Sequence, residues 1–127
     1  MAVGFLDVTP PIKKTLPLEL SEMVEIAQEA SDFLKAMSHE TRLMLLCFLA
    51  DSEHSVSELE EYLSLKQSNV SQHLGRLRHD GLVKTRRDGQ TVYYSLASDD
   101  VRQMLAVLHE IFCKRRLERV LAAQTKD

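Results

Sequence analysis

The stretch Gln67-Ser-Asn-Val-Ser-Gln-His-Leu-Gly-Arg-Leu-Arg78 is the part of the sequence that predicts the fold. Val70, Leu74 and Leu77 recur at helical spacing, so one face of a helix packs inward. At about 100° per residue, the positions that point away from this face are Ser68, Asn69, Gln72, Gly75, Arg76 and His79. Their hydroxyl, amide and guanidinium groups can reach base edges and phosphates in a DNA major groove. The stretch therefore predicts a DNA-recognition helix.

The segment before this helix predicts a shorter helix. Ser55-Val-Ser-Glu58 has the spacing of a capping box, in which Ser55 is the N-cap and the side chain of Glu58 reaches back to it. Leu59 and Leu63 continue the inward face of this shorter helix. Two helices joined by a short turn, the second with a polar outer face, indicate a helix-turn-helix.

The segment after the recognition helix predicts a β-hairpin. His79-Asp-Gly81 indicates the end of the helix, because glycine can take the left-handed conformation there. Residues 82–87 and 90–96 are rich in β-forming side chains, and Asp88-Gly89 between them predicts a two-residue turn. Tyr93 and Tyr94 alternate across the second strand, so one should lie in the core and the other should be exposed. Together with the two helices, this basic hairpin predicts a winged helix-turn-helix.

Helices are also expected on both sides of this unit. One begins at Leu18 and has an apolar stripe, and Ser38 is the expected N-cap of the next. That second helix, Thr41 to Ala50, is apolar almost all round and should lie in the middle of the domain. Asp99 begins a long last helix with another stripe. The fold class expected is mainly α (α+β), with five or so helices and one hairpin wing.

The two apolar stripes predict a homodimer formed through the first and last helices. A two-fold axis would place two recognition helices about 34 Å apart, one turn of DNA. A single winged domain makes few base contacts, which also favours a dimer. The alternative is that both stripes pack only within the monomer.

The length and composition fit one small domain. The 127 residues suffice for one modest core, and 44% hydrophobic and 28% charged residues are ordinary for a globular protein. We expect a flexible N-terminal arm over residues 1–17, which hold all three prolines, the winged domain over 18–120 and a polar tail over 121–127. The sequence has neither a secretory signal nor a long apolar run, so we expect a cytoplasmic location.

The charge is distributed unevenly along the chain. The net charge is −3, but residues 1–64 contribute −8, residues 65–90 contribute +4 and residues 91–127 contribute +1. The local field, not the net charge, decides attraction to phosphate. The positive segment coincides with the recognition helix and the wing, although on charge alone a merely solvated hairpin remains an alternative.

Candidate DNA contacts lie in and around the recognition helix and the wing. They are Lys66, Gln67, Ser68, Asn69, Ser71, Gln72, His73, Arg76, Arg78, Arg86, Arg87 and Gln90. Amides suit adenine, hydroxyls are less selective, and the arginines suit phosphates or the minor groove unless they are simply solvated. His73 is close to the inner face, where packing is as reasonable as a phosphate contact. His39, His54 and His79 show no ligand spacing and are expected to be structural or solvated.

Four runs of residues resemble the ArsR family of bacterial repressors. They are Leu34-Lys-Ala-Met-Ser-His-Glu-Thr-Arg-Leu43, Ser55-Val-Ser-Glu-Leu59, Gln67-Ser-Asn-Val-Ser-Gln-His-Leu74 and Gly81-Leu-Val-Lys-Thr-Arg-Arg-Asp-Gly-Gln-Thr-Val-Tyr-Tyr-Ser95. The resemblance covers roughly residues 20 to 115. It implies a homodimer that binds double-stranded operator DNA and releases it when an inducer reaches the protein.

The ligand sets of metal-responsive members do not match this sequence. Where arsenic sensors of the family have a Cys-x-Cys pair, this chain has Glu58-Leu-Glu-Glu-Tyr62. The last helix offers Asp99, Asp100 and a lone His109 instead of the paired ligands of zinc and nickel sensors. A divalent metal needs about four converging ligands. We therefore expect no metal and no cofactor, with a metal-responsive repressor or a protein-interaction module as alternatives.

The two cysteines resemble those of the persulfide- and redox-responsive SqrR/BigR-like branch of the family. The runs Arg42-Leu-Met-Leu-Leu-Cys47 and Leu108-His-Glu-Ile-Phe-Cys113 carry this resemblance. It implies an inducer that is a sulfane sulfur compound or an oxidant, with a bridge between Cys47 and Cys113. The cations after Cys113 favour its reactive thiolate, so we expect Cys113 to react first and Cys47 to be the shielded partner. Buried structural cysteines are the alternative, and an enzyme using Cys113 and His109 is not expected, because nothing supplies a substrate cleft.

Overall fold

The computed structural model describes residues 18–64 and 67–125. The predicted N-terminal arm, residues 1–17, lies outside the described residues. The chain divides into two compact units, residues 1–32 and residues 33–127. In the first unit the described structure is chiefly the beginning of helix α1, Leu20–Met37, which starts two residues after the predicted Leu18. The winged helix-turn-helix lies in the second unit.

The second unit contains the rest of α1 and the following elements. They are α2 (Glu40–Leu49), β1 (His54–Ser55), α3 (Val56–Leu63), α4 (Gln67–His79), β2 (Val83–Asp88), β3 (Thr91–Leu96), α5 (Asp99–Leu108), a π-helical turn (His109–Cys113) and α6 (Lys114–Gln124). This order confirms the predicted winged helix-turn-helix. The last helix runs four residues into the segment 121–127 that we expect to be a polar tail.

The core lies where α2, α3, α4, the sheet and α5 meet. Its buried side chains are Ala36, Met37, Leu45, Leu46, Leu49, Leu59, Val70, Leu74, Leu77, Leu82, Val83, Leu96, Val101 and Leu105. Helix α2 contributes three of these leucines, and it packs directly on α4. The predicted central position of α2 is therefore confirmed, and its location makes α2 the support for the recognition helix.

The predicted N-cap of α2, Ser38, is wrong. The Ser38 hydroxyl instead donates to the backbone carbonyl of Lys35 at 2.8 Å, at the end of α1. His39 takes the extended conformation of an N-cap, and its Nδ1 accepts a hydrogen bond from the backbone N–H of Thr41 at 3.0 Å. The N-cap position thus falls at His39, one residue after Ser38, and the imidazole is the side chain that accepts there.

The predicted capping box of α3 is confirmed. The backbone N–H of Ser55 donates to the Glu58 carboxylate at 2.8 Å, and the backbone N–H of Glu58 donates to the Ser55 hydroxyl at 3.2 Å. At the other end of the helix-turn-helix, Gly81 has a φ of 79°, and the backbone N–H of Leu82 donates to the carbonyl of Leu77 at 2.9 Å. The predicted glycine-dependent end of the recognition helix is therefore confirmed too.

The wing is a three-stranded antiparallel sheet in the order β1-β3-β2, not the predicted two-stranded hairpin. Strand β1 has two residues, too few to produce a detectable alternation in the sequence. The turn also differs, because Asp88 pairs with Thr91 and the two loop residues are Gly89 and Gln90. Gly89 has a φ of 65°, and glycine at the first central position is typical of a type II′ turn.

The two tyrosines of β3 are both half-buried, so the expected split between core and surface is wrong. Tyr94 packs against the core, as the alternation predicts for one of them. Tyr93 is on the other face, where the guanidinium of Arg86 lies 4.8 Å from its ring centroid and covers part of it. Within residues 18–64 and 67–125, no helix is long and apolar enough to cross a membrane.

Candidate nucleic-acid interface

Helix α4 separates its buried and exposed residues as the sequence predicts. Val70, Leu74 and Leu77 are fully buried. The exposed positions are Asn69, Ser71, Gln72, Gly75, Arg76, Arg78 and His79. Gln67 and Ser68 lie in the first turn of the helix, and their side chains lie outside the described residues, as does Lys66 altogether. The described part of α4 thus presents a continuous polar face to the surroundings.

Two arginines near the C-terminal end of α4 differ in their contacts, because Arg76 forms an ion pair and Arg78 does not pair with another described residue. The Nε of Arg76 donates to the Asp80 carboxylate at 2.7 Å, and the Nδ1 of His79 lies 3.3 Å from the other oxygen of Asp80. The hydrogen bond from Arg76 is the main reason why the pKa of Asp80 is lowered. Arg78 is exposed and makes no ion pair with another described residue. Arg78 is therefore the more available of these two guanidiniums.

The wing also presents one engaged and one available arginine. Arg86 pairs through two nitrogens with the carboxylate of Glu53, which precedes β1. Arg87 is exposed and has no ion-pair partner within the part of the chain that the structure describes. Gln90 is exposed at the tip of the turn. Sequence reasoning missed Glu53, since nothing in the sequence links positions that are 33 residues apart.

His73 is half-buried and stacks on the N-cap of α2. The ring centroids of His73 and His39 are 4.4 Å apart. The pKa of His73 is lowered, mainly by burial and further by the positive charges of His39 and Arg42. Of the two roles left open for His73, these contacts favour packing, which joins the recognition helix to α2.

This lowered pKa predicts a loss of stability in acid. The folded state disfavours protonated His73, so its contribution is present above the ordinary histidine pKa of about 6.5 and is lost as the pH falls through the lowered value. Urea unfolding at pH 7.5 and pH 5 should show a larger loss of unfolding free energy for the wild type than for His73→Gln. Equal losses in the two proteins would contradict this assignment.

The two cysteines of the chain lie on different helical elements. Cys47 is on α2 and Cys113 ends the π-helical turn, and both are free and exposed. The pKa of Cys47 is raised, mainly by partial burial and secondly by the negative charge that Cys113 would carry. This charge effect places the two thiols in the same region of the fold, although 66 positions separate them in the sequence. The side chain of Cys47 is exposed and lines a groove, so this thiol is less shielded than the sequence predicts.

A groove with a volume of about 450 Å³ lies between the end of α2 and α5. Its lining residues are Cys47, Ala50, Asp51, Arg102, Leu105, Ala106 and His109. The guanidinium of Arg102 donates to the backbone carbonyl of Ala50 at 3.3 Å and so ties α5 to the end of α2. Among the residues that the structure describes, no three His, Cys, Asp or Glu side chains form a group that could hold a metal ion.

The fold and the exposed polar helix beside a basic wing define a winged helix-turn-helix DNA-binding protein. Residues 39–85 match the family described as bacterial regulatory protein, arsR family. The chain is 48% identical over 104 residues to the transcriptional activator HlyU of Vibrio cholerae. The matched region covers 82% of this chain and 96% of HlyU. This chain belongs to the ArsR family, so it is a DNA-binding transcriptional regulator and not an enzyme.

Solved structures agree with this assignment. Reduced HlyU from Vibrio cholerae matches with a TM-score of 0.70 and 50% identity, covering 74% of this chain and 99% of that one. The transcriptional repressor BigR from Xylella fastidiosa matches with a TM-score of 0.69 and 40% identity, covering 76% and 98%. The homodimeric winged helix-turn-helix domain of Mb0332 from Mycobacterium bovis matches with a TM-score of 0.68 and 25% identity, covering 82% and 95%.

Proposed function

We propose that this protein is a homodimeric repressor that binds operator DNA and releases it when Cys47 and Cys113 are bridged by reactive sulfur or by an oxidant. The observation that carries the proposal is that both thiols are free and exposed, Cys47 on a groove that α2 forms with α5 and Cys113 four residues after His109, which lines the same groove. Helix α2 also packs on the recognition helix α4. A bridge at α2 would therefore act on the element that supports the DNA-binding surface. Operator DNA lies in the cytoplasm, where the proposal places the protein.

The proposed DNA binding rests on exposed polar and charged side chains of α4 and the wing. Asn69, Ser71 and Gln72 are suited to base edges, and Arg78 and Arg87 are suited to phosphates. Gln67, Ser68 and Lys66 keep their proposed roles at the start of the helix. Arg76 and Gln90 lie on the same exposed surfaces and remain proposed contacts. The engaged Arg86 is a weaker candidate, because its donors are already used within the chain.

The homodimer is supported by apolar side chains that a single chain leaves exposed. On α1 these are Leu20, Val24, Ile26 and Leu34, and from α5 through the π-helical turn to α6 they are Val107, Ile111, Phe112, Leu117, Val120 and Leu121. Exposed apolar patches of this kind are typical of protein interfaces. The homodimeric Mb0332 domain, which has the same fold, supports the same arrangement for this chain.

The chemistry needs two sulfurs and a source of sulfane sulfur or oxidant. The Cys113 thiolate attacks the outer sulfur of a persulfide RSSH, and the thiolate RS⁻ leaves. After the same transfer to Cys47, the Cys113 persulfide anion attacks the Cys47 sulfur and HS⁻ leaves, which gives a three-sulfur bridge. Peroxide would instead give a disulfide and two water molecules. The raised pKa of Cys47 supports Cys113 as the first thiol to react.

The bridge can be tested by mass spectrometry on the reduced protein. Treatment with an organic persulfide, with peroxide and with a disulfide should show which reagent links Cys47 to Cys113 and how many sulfurs the link contains. A direct disulfide requires Cα atoms within about 7 Å, whereas a longer bridge tolerates a wider gap. DNA binding is measured on the same samples by gel shift. Release of DNA while both cysteines stay unlinked would contradict the proposal.

A further inference from the structure

The contact between Glu53 and Arg86 crosses the whole wing sheet. Ser55, Tyr93 and Arg86 lie side by side in the register of β1, β3 and β2. Glu53 is two residues before Ser55, which places it on the same side of the sheet as these residues. Its carboxylate accepts hydrogen bonds from Nε and Nη2 of Arg86, the first at 3.1 Å. The carboxylate thus reaches over the central strand to the guanidinium on the far strand.

The guanidinium of Arg86 is held on two sides. The two-point contact with Glu53 uses the donor fork that arginine offers to a phosphate. One face of the guanidinium also lies 4.8 Å from the ring centroid of Tyr93. The hydrogen bond from Arg86 lowers the pKa of Glu53, so the carboxylate is charged at neutral pH. Glu53 therefore occupies the position on Arg86 that a DNA phosphate would take.

Arg87, the next residue, is not held by a carboxylate of the described residues. Successive side chains of a strand point to opposite faces, so Arg87 lies on the face away from Glu53. It is exposed, and no carboxylate within the described ranges pairs with it. Two adjacent arginines of equal charge thus differ in how many donors are available to DNA.

We propose that Glu53 is a specificity-determining residue, because its ion pair with Arg86, here called the latch, holds Arg86 on the wing and keeps it from binding DNA. Arg87 is then the phosphate-binding cation of β2. This inference rests on the proposed role of the wing in DNA binding. Binding to non-specific DNA is driven by phosphate contacts, and each contact adds about 0.9 to the slope of log K against log salt. By removing one phosphate contact per protomer, the latch weakens binding to wrong sequences while base contacts from α4 are unaffected.

The salt dependence of binding to a generic 30-base-pair duplex tests the latch. Glu53→Gln should steepen the slope by about 0.9 per protomer, because Arg86 becomes free to meet a phosphate. Arg86→Gln should leave the wild-type slope unchanged, whereas Arg87→Gln should reduce it by about 0.9 per protomer. The double variant Glu53→Gln/Arg86→Gln should return to the wild-type slope. Circular dichroism melting curves confirm that each variant is folded.

Two controls separate the latch from simple charge removal. Glu61→Gln removes the same charge from an exposed position of α3 and should not steepen the slope. A gain in affinity for Glu53→Gln that persists in the Arg86→Gln background would mean that Glu53 only repels DNA, which overturns the latch. A reduced slope for Arg86→Gln alone would overturn it as well, since Arg86 would already contact phosphate.

A readout without DNA distinguishes the latch from the proposed function. In the ¹⁵N NMR spectrum, the Nε–H of Arg86 should give a resolved signal that disappears or shifts in Glu53→Gln and is unaffected in Glu61→Gln. An unchanged Arg86 signal in Glu53→Gln contradicts the latch, whatever the DNA result. A wild-type protein that fails to bind any duplex would contradict the proposed function and the latch with it. Normal binding with no effect of Glu53→Gln contradicts the latch alone.

Discussion

Cys47→Ser and Cys113→Ser are each expected to bind DNA like the wild type and to lose the response to the inducer completely. The bridge needs both sulfurs, so removal of either one leaves nothing to link. Both side chains are exposed, and surface substitutions usually change the free energy of unfolding by less than about 0.5 kcal/mol. The measurement is the apparent Kd for DNA before and after treatment with an organic persulfide.

The size of the wild-type response follows from two-state linkage. If bridging weakens DNA binding 100-fold, the bridge must favour the non-binding state by about 2.7 kcal/mol. In either serine variant this difference should fall to zero. Loss of DNA binding in both untreated variants would contradict the switch, because the cysteines would then be needed for the DNA-binding structure itself.

Ala106→Ser is the matched control for this experiment. Ala106 lines the same groove as Cys47 and α5 carries it near the thiol, so the variant adds a hydroxyl to the groove and leaves both sulfurs in place. Its response to persulfide should equal that of the wild type. A variant that also failed to respond would show that the groove, rather than the pair of sulfurs, is what the inducer needs.

Local sequence signals predicted the helix-turn-helix because its stabilising contacts are close in sequence. The capping box joins Ser55 to Glu58, and Val70, Leu74 and Leu77 recur within two turns of one helix. Each of these patterns is set by the geometry of a single element. They therefore specify the fold and the exposed face of α4 without knowledge of the rest of the chain.

The features that sequence reasoning missed depend on contacts between distant segments or on competition for one group. The pairing of Glu53 with Arg86 depends on the tertiary structure, whereas a link between Cys47 and Cys113 was expected only because the sequence resembles a branch of the family. Ser38 is a good N-cap residue in isolation, but its hydroxyl is used by the end of α1.

The π-helical turn His109–Cys113 was also missed. It has no residue pattern that separates it from an α-helix, although such turns are frequent at functional sites. The turn ends at Cys113, one of the two thiols proposed to sense the inducer. A regular helical repeat therefore predicts the last helix but not the local change in its hydrogen bonding at the candidate site.

Leu74→Ala is expected to lower the free energy of unfolding by about 2–5 kcal/mol. Leu74 is fully buried on the inner face of α4, and removing its side chain leaves a cavity among the core residues. The total stability of a domain is only about 5–15 kcal/mol, so this loss is a large fraction of it. Urea unfolding followed by circular dichroism measures the change, and DNA binding should weaken at 37 °C because less protein is folded.

Gln72→Ala, two residues away on the outer face, should give the opposite result. Gln72 is exposed, so its removal should change the unfolding free energy by less than about 0.5 kcal/mol. If its amide contacts a base, affinity for operator DNA should fall by about 1–3 kcal/mol, whereas affinity for generic DNA should change little. A loss of stability in Gln72→Ala, or normal stability in Leu74→Ala, would mean that α4 is rotated about its axis. The two faces of this one helix would then have exchanged their roles in folding and in binding DNA.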